Sequence, residues 1–196
     1  MKRRESHPVE GTRTGFGFGF GFGWIYIQRE EFRDMDDIIF EHVVEVMEQL
    51  SGERALIYAN DLIELNPDGA DPFVLRGYIF IRMDEWDKAL VDYSHAIDLD
   101  PKCTLAYFRR SETYYDLGLY EASAADASKA ILLDPGLGEG YFQRAMCFTK
   151  LSRDAEAELE LARATDLGYA NGYHSELIQA CRVARDDYIS EYGKFP

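Results

Sequence analysis

Three arginines recur at a fixed step of 34 residues: Arg76, Arg110 and Arg144. A row of guanidinium groups can hold carboxylates through paired hydrogen bonds. These side chains are therefore candidates for contacts with acidic groups of a partner. A structural hypothesis competes, because an arginine stem also packs between helices while its charged end stays at the surface. The sequence leaves both hypotheses open.

The residue types that carry catalysis or metal binding do not form a known motif. The histidines His7, His42, His95 and His174 lie outside any H-E-x-x-H pattern and have no cysteine or second histidine at ligand spacing. The chain also lacks the glycine motifs that bind phosphates and the G-x-S-x-G motif of hydrolases. The sequence predicts no enzyme, no cofactor and no metal site.

The number of cysteines and the net charge limit the classes of partner and the location that the sequence allows. Cys103, Cys147 and Cys181 are odd in number and far apart, which favours reduced thiols in a cytoplasmic location. The net charge of −15 argues against nucleic acid and against anionic membranes. No apolar run approaches the roughly 20 residues of a membrane span. A neutral or basic protein partner fits this charge, although a solvated acidic surface that only aids solubility fits it too.

The three arginines, which we call the arginine ladder, belong to a longer pattern. This pattern occurs three times between Ala70 and Gly168, and a weaker copy precedes it. In the first strong copy Phe73, Gly77 and Phe80 fall on one face of a helix. A second helical run follows, and an Asp-Pro pair ends it because proline cannot continue a helix. Small residues recur where two helices must approach closely. The recurring positions are Phe73, Tyr107 and Tyr141; Gly77, Ser111 and Ala145; Phe80, Tyr114 and Phe148; Ala89, Ser123 and Ala157; Ala96, Ala130 and Ala164; and Pro101 and Pro135.

This signature resembles the tetratricopeptide repeat family. The resemblance implies stacked helix hairpins, so we predict an all-α, right-handed superhelical solenoid with a C-terminal capping helix at about 172–190 that covers the open end of the stack. The predicted divisions are a low-complexity Gly/Phe segment 1–28, repeats within 29–169 (about 36–69, 70–103, 104–137 and 138–169), and the capping helix and tail 170–196.

The stretch Gly15 to Ile27 alternates glycine with aromatic residues. Five glycines disfavour a helix, and an extended chain has a side-chain period of two. The prediction is an aromatic strip on one side. Four fates remain open: a flexible tail, docking into a groove of this chain or a neighbour, self-association, and a targeting signal. The strip consists of Phe16, Phe18, Phe20, Phe22, Trp24 and Tyr26.

The resemblance also implies a concave inner face, lined by the first helix of each repeat. Most of its positions are apolar or aromatic here, which favours a binding groove. A competing hypothesis is that the capping helix, a neighbouring chain or the aromatic strip covers it. The predicted groove residues are Val74, Tyr78, Ile81, Leu105, Phe108, Glu112, Tyr115, Phe142 and Met146, and Asp71, Glu139 and Thr149 occupy the remaining inner positions.

The resemblance suggests a function without naming a partner. Some family members hold the acidic tail of heat-shock chaperones with a clamp of Lys, Asn and Arg. Arg109 matches one clamp place, but Val74, Tyr78 and Gln143 occupy others, so we reject that clamp. The predicted function is a non-catalytic module that binds a peptide or helical segment of another protein. The alternatives are a secretion chaperone similar to the type III translocator chaperones, and a self-assembling, homo-oligomeric structural protein that uses the aromatic strip.

Overall fold

The computed structural model describes residues 16–19, 24–27 and 51–193. The chain divides into two compact units, Met1–Gln49 and Leu50–Pro196, and each is described by itself. In the first unit, strand β1 (Phe16–Gly19) pairs antiparallel with strand β2 (Trp24–Ile27). The extended backbone predicted for this stretch is therefore present at both strands.

The register of this pairing does not keep the single aromatic face expected for the Gly/Phe segment. Position 16 lies opposite 27 and position 18 opposite 25, whereas 17 and 19 lie opposite 26 and 24. Opposite positions share one face of a two-stranded ribbon. The backbone positions of Phe16 and Phe18 thus belong to one face, and those of Trp24 and Tyr26 to the other. Phe20 and Phe22 lie outside the described residues, as does the predicted first helix of the weaker repeat.

The second unit is helical throughout its described part, as predicted. Successive helices pack in pairs that stack on one another: α2 with α3, α4 with α5, and α6 with α7. Helix α1 packs on α2, and the last helix packs chiefly on α6. The helices are α1 (Gly52–Leu65), α2 (Asp71–Arg82), α3 (Trp86–Leu99), α4 (Thr104–Asp116), α5 (Tyr120–Leu133), α6 (Gly138–Lys150), α7 (Asp154–Asp166) and α8 (Gly172–Tyr192).

The turn inside each pair repeats its backbone geometry as well as its length. The middle residue of the turn has a positive φ in every copy: 59° at Asp84, 76° at Gly118 and 60° at Ser152. Glycine reaches this region without strain, whereas a side chain costs about 1–2 kcal/mol there. The 34-residue step therefore fixes turns as well as helices.

Small residues bring the two helices of a pair into contact. A Cβ atom at Gly77 of α2 would lie 2.5 Å from Cε1 of Tyr93 on α3, whose side chain is buried. In the next pair Ser123 donates a hydrogen bond of 2.7 Å to the carbonyl oxygen of Ser111. Both serines are fully buried, so their hydroxyl groups need these bonds.

Each arginine of the ladder is bound inside the stack. Arg110 on α4 donates from Nε (2.7 Å) and Nη2 (3.0 Å) to the carboxylate of Asp126 on α5, and from Nη1 (3.0 Å) to Oγ of Ser94 on α3. One side chain thereby links its own pair of helices to the preceding pair; we call this three-way contact an arginine bridge. The same bridge joins Arg76 to Asp92 and Asn60, and Arg144 to Glu160 and Ser128.

These bridges favour the structural hypothesis for the ladder over contacts with a partner. Their acids, Asp92, Asp126 and Glu160, are buried and follow the arginines by 16 residues in every copy. The sequence carried a signal for them, since the acids recur at the same step of 34 residues. Because the two partners lie on different helices, spacing within one helix does not reveal the pairing.

The first prediction concerns the contact between Gly77 and Tyr93. Changing Gly77 to Ala should lower the free energy of unfolding by about 1–3 kcal/mol, because the added methyl group overpacks the interface. Gly172 is the matched control, since a Cβ atom there meets nothing within 4 Å. Urea unfolding followed by circular dichroism measures both variants. Equal stability of Gly77→Ala and Gly172→Ala would contradict the close approach.

The second prediction concerns the arginine bridge. Asp126→Asn should lower the free energy of unfolding by about 2–3 kcal/mol, because it leaves the largely buried guanidinium of Arg110 without its anion. Glu85→Gln is the matched control: its ion pair with Lys88 is exposed and should contribute less than about 0.5 kcal/mol. Urea titrations at neutral pH compare the two. A similar small loss in both would show that the bridge does not hold the stack.

Candidate functional site

We use the name inner face for the side of the stack that the resemblance assigns to the first helices of the pairs, α2, α4 and α6, which contact one another in sequence order. Two of its predicted groove residues do not reach the surface. Val74 is 0% exposed and Phe108 is 5% exposed. The prediction that both line an open groove is wrong, because neighbouring helices approach closely enough to enclose them. They belong to the floor beneath the groove.

A second group of predicted groove residues is covered by helix α8. Ile178 of α8 is buried against Ala145 and Met146, and Tyr115 and Phe142 pack on the same cluster. His174, at the start of α8, meets Phe142 edge to face, with ring centres 4.7 Å apart. Helix α8 therefore lies along the inner face of α6, which is more than the predicted cover for the end of the stack.

Two arginines of α8 bind the last turn of α6 and the first residues of α7. Arg185 is buried and uses all its donors: it binds the carbonyl oxygen of Thr149 at 2.6 Å, the carboxylate of Asp154 at 2.9 and 3.1 Å, and Asp186. Arg182 donates to Glu158 at 3.0 Å. The hydrogen bonds from Arg185 lower the pKa of Asp154.

Few side chains of α8 contribute to this attachment. Only Ile178 and Arg185 are buried in a helix of 21 residues. Full burial of an isoleucine contributes about 1.5–3 kcal/mol. The side chain of Asp154 is 41% exposed, so its ion pairs are screened and contribute about 1 kcal/mol at most. Helix α8 is thus held by a small set of contacts.

The part of the inner face that α8 leaves uncovered lies on α2 and α4. Tyr78, Ile81, Leu105 and Glu112 are each partly exposed there. Arg109 joins them: its guanidinium carbon is 5.7 Å from the ring centre of Tyr78. Its Nη1 donates to Glu112 at 2.9 Å. Aromatic, aliphatic and charged groups therefore meet on one surface.

Acidic groups dominate the electrostatics of this surface. Burial raises the pKa of Glu112, which Arg109 counteracts, while the negative charges of Glu139 and Asp116 raise it further. Burial, and then the charges of Glu139 and Glu112, also raise the pKa of Tyr169, which lies just before α8. Among the described residues, Arg109 is the cation and Glu139 and Asp116 are the carboxylates that act on the pKa of Glu112, so a positive group from outside would be attracted.

The described residues offer little reactive chemistry. No group of three His, Cys, Asp or Glu side chains among them could hold a metal ion. All three cysteines are free, and burial raises the pKa of Cys103 and of Cys147 to about 11. The thiol of Cys147 donates to Oγ of Ser123 at 3.0 Å.

In the part of the chain that the structure describes, no helix is both long and apolar enough to cross a bilayer.

The lowered pKa of Asp154 leads to a prediction about pH. A carboxyl group whose pKa is lower in the folded state stabilises the fold above its ordinary pKa of 3.8 and loses that contribution as pH falls through the lowered value. Asp154→Asn should therefore cost about 1 kcal/mol at pH 7, and this deficit should shrink as pH falls below 3.8. Urea unfolding across this range measures it. Glu176→Gln, an exposed change on α8, serves as control and should match the native chain throughout; a constant deficit for Asp154→Asn would contradict the assignment.

A scan of protein families matches residues 105–137 to the Tetratricopeptide repeat. This segment spans α4 and α5, the pair at the centre of the stack. A search of curated proteins by sequence finds no match. The sequence match therefore rests on one repeat.

Solved structures extend the likeness over more of the chain. The first TPR of Spaghetti (RPAP3), bound to an HSP90 peptide, has a TM-score of 0.55 at 20% identity and covers 59% of this chain and 91% of its own. The Arabidopsis OM64 TPR domain has a TM-score of 0.54 at 23% identity over 58% and 93%. A MamA RS-1 double mutant has a TM-score of 0.63 at 13% identity over 80% and 88%. Residues 105–137 thus match a tetratricopeptide repeat, and the fold of the chain is similar to that of TPR domains.

Proposed function

We propose that this protein is a non-catalytic interaction module that holds a segment of another protein on the inner face of α2 and α4. One observation carries the proposal. Beside the cluster covered by α8, the inner face keeps Tyr78, Ile81 and Leu105 partly exposed next to the ion pair of Arg109 and Glu112. Aromatic and aliphatic side chains of this kind bury apolar residues of a ligand, and a polar rim orients it.

The charge of this surface supports a neutral or basic segment as the ligand. Glu112, Glu139 and Asp116 lie close enough for their charges to interact. The only cation in contact with Glu112 among the described residues is Arg109. A lysine or arginine of the ligand would relieve the repulsion among the carboxylates, whereas an acidic ligand would add to it.

Peptide binding has a precedent in a solved structure of similar fold. The first TPR of Spaghetti (RPAP3) is bound to the HSP90 peptide SRMEEVD, which is acidic. The likeness to that domain concerns the fold, and the inner face here differs in chemistry. Val74 is buried, Gln143 donates toward Ser123, and Arg109 is engaged by Glu112. We therefore propose a ligand other than an acidic tail.

We also propose a cytoplasmic location for the protein and a partner that is not nucleic acid. The net charge of −15 disfavours phosphate backbones, which bind proteins through lysine and arginine. Three cysteines, odd in number and free, suit a reducing compartment. A cytoplasmic protein partner is consistent with both features.

Affinity capture with matched variants tests this function. Tyr78→Asp with Leu105→Asp should abolish capture of the specific partners, because each change puts a charge where the ligand buries apolar surface. Val91→Asp on α3 is the control: Val91 is 68% exposed on a second helix of a pair, and its change should leave the captured set intact. Quantitative mass spectrometry compares the three samples, and circular dichroism checks that each variant is folded.

Two outcomes would contradict the proposal. In the first, the folded inner-face variant captures the same partners as the native chain. In the second, Val91→Asp loses the partners and the inner-face variant keeps them. Phe108 is unsuitable for such a test because it is buried, so a charge there would act on folding.

A further inference from the structure

The contact between α8 and α6 has the composition of a complete helix-binding site. The floor is apolar and aromatic: Tyr115, Phe142, Ala145 and Met146, all outside α8. The rim is polar, with the carbonyl oxygen of Thr149 and the carboxylates of Asp154 and Glu158 as acceptors. Such a site buries an apolar stripe and binds cationic groups beside it.

The side chains that α8 places in this site form a short pattern. Leu177, Ile178 and Cys181 enter the apolar floor, and Arg185 binds the rim. Relative to Leu177 these positions are i, i+1, i+4 and i+8, which lie on one side of a helix. The rest of the helix is largely exposed, including Val183 at 51%.

Helix α8 has capping residues at both of its ends. Asn171 caps its first turn by accepting from the backbone N–H of Tyr173, and the backbone N–H of Asn171 donates to Nδ1 of His174. Gly193 ends it in the left-handed region. The connection from α7 passes through Gly168, which has a φ of 78°, and the backbone N–H groups of residues 168–170 bind carbonyl oxygens in the last turn of α7. The capping bonds of α8 lie within residues 171–193, so they do not depend on its contact with α6.

We propose that the inner face of α6 is a second docking site. In the free chain α8 occupies this site, and an amphipathic helix of a partner protein displaces α8 from it. The replacing helix carries apolar residues at i, i+1 and i+4 and an arginine at i+8. The rim selects that arginine, because the carboxylate of Asp154 and the carbonyl oxygen of Thr149 lose the guanidinium donors of Arg185 once α8 has left. This inference rests on the proposed interaction function but concerns α6, whereas the capture experiment concerns α2 and α4.

A labelled synthetic peptide of residues 171–193, with Cys181→Ser, is the probe. In the full chain, Ile178→Asp should release α8, since a charge cannot enter the apolar floor. The peptide should bind this variant at least about tenfold more tightly than the native chain, where α8 competes at high effective concentration. Fluorescence anisotropy measures both affinities. Val183→Asp is the matched control on the exposed side of α8 and should behave as the native chain does.

A second measurement uses the native chain and needs no variant to fold. Excess peptide should raise the rate at which Cys181 reacts with a thiol reagent by several-fold, while the buried Cys103 and Cys147 stay slow. A peptide that also carries Ile178→Asp should have no effect. The proposal is overturned if the native-sequence peptide leaves the labelling of Cys181 unchanged, or if the Ile178→Asp peptide accelerates it equally. Neither readout depends on capture by α2 and α4, so failure here and failure of the proposed function remain distinct.

Discussion

The arginine bridge is the interaction on which the stack depends. In each copy one guanidinium group joins a buried acid in its own pair of helices to a polar side chain of the preceding pair, as Arg110 does with Asp126 and Ser94. The bridge fixes two relations together: the angle inside a pair and the contact between pairs. Because it recurs at a step of 34 residues, every first helix turns the same side toward the inner face. A buried ion pair adds modest net stability, but removing either partner is costly, so the bridge acts chiefly by excluding other arrangements.

The orientation of the first helices determines which side chains belong to the inner face. The packing of the helices determines which of these side chains are exposed. Close approach of the helices encloses Val74 and Phe108. Helix α8 then covers Phe142 and Met146. What remains is a smaller surface on α2 and α4, mixed in character, where Tyr78 and Leu105 border an ion pair and several carboxylates. The chain thus presents one surface that is open and one that its own last helix fills.

Much of the fold could be predicted from the sequence because the repeat fixes it locally. The helices, the turn at Gly118 and the close contact at Gly77 all follow from residue types that recur at one spacing. Features that depend on distant partners could not be predicted in this way. The partners of Arg76, Arg110 and Arg144 lie on other helices. The position of α8 on α6 depends on Ile178 and Arg185, which have no counterpart in the repeat. The sequence predicts a groove on the first helices of the repeats, whereas the exposure of its residues depends on how closely those helices pack.

The central claim is that the inner face of α2 and α4 contacts the partner. The most direct measurement is photo-cross-linking in cell extract, with a photoreactive phenylalanine analogue at position 78 in one sample and at position 91 in another. The account predicts a discrete cross-linked product from position 78 and none from position 91, although position 91 is well exposed. A product from position 91 together with none from position 78 would contradict it.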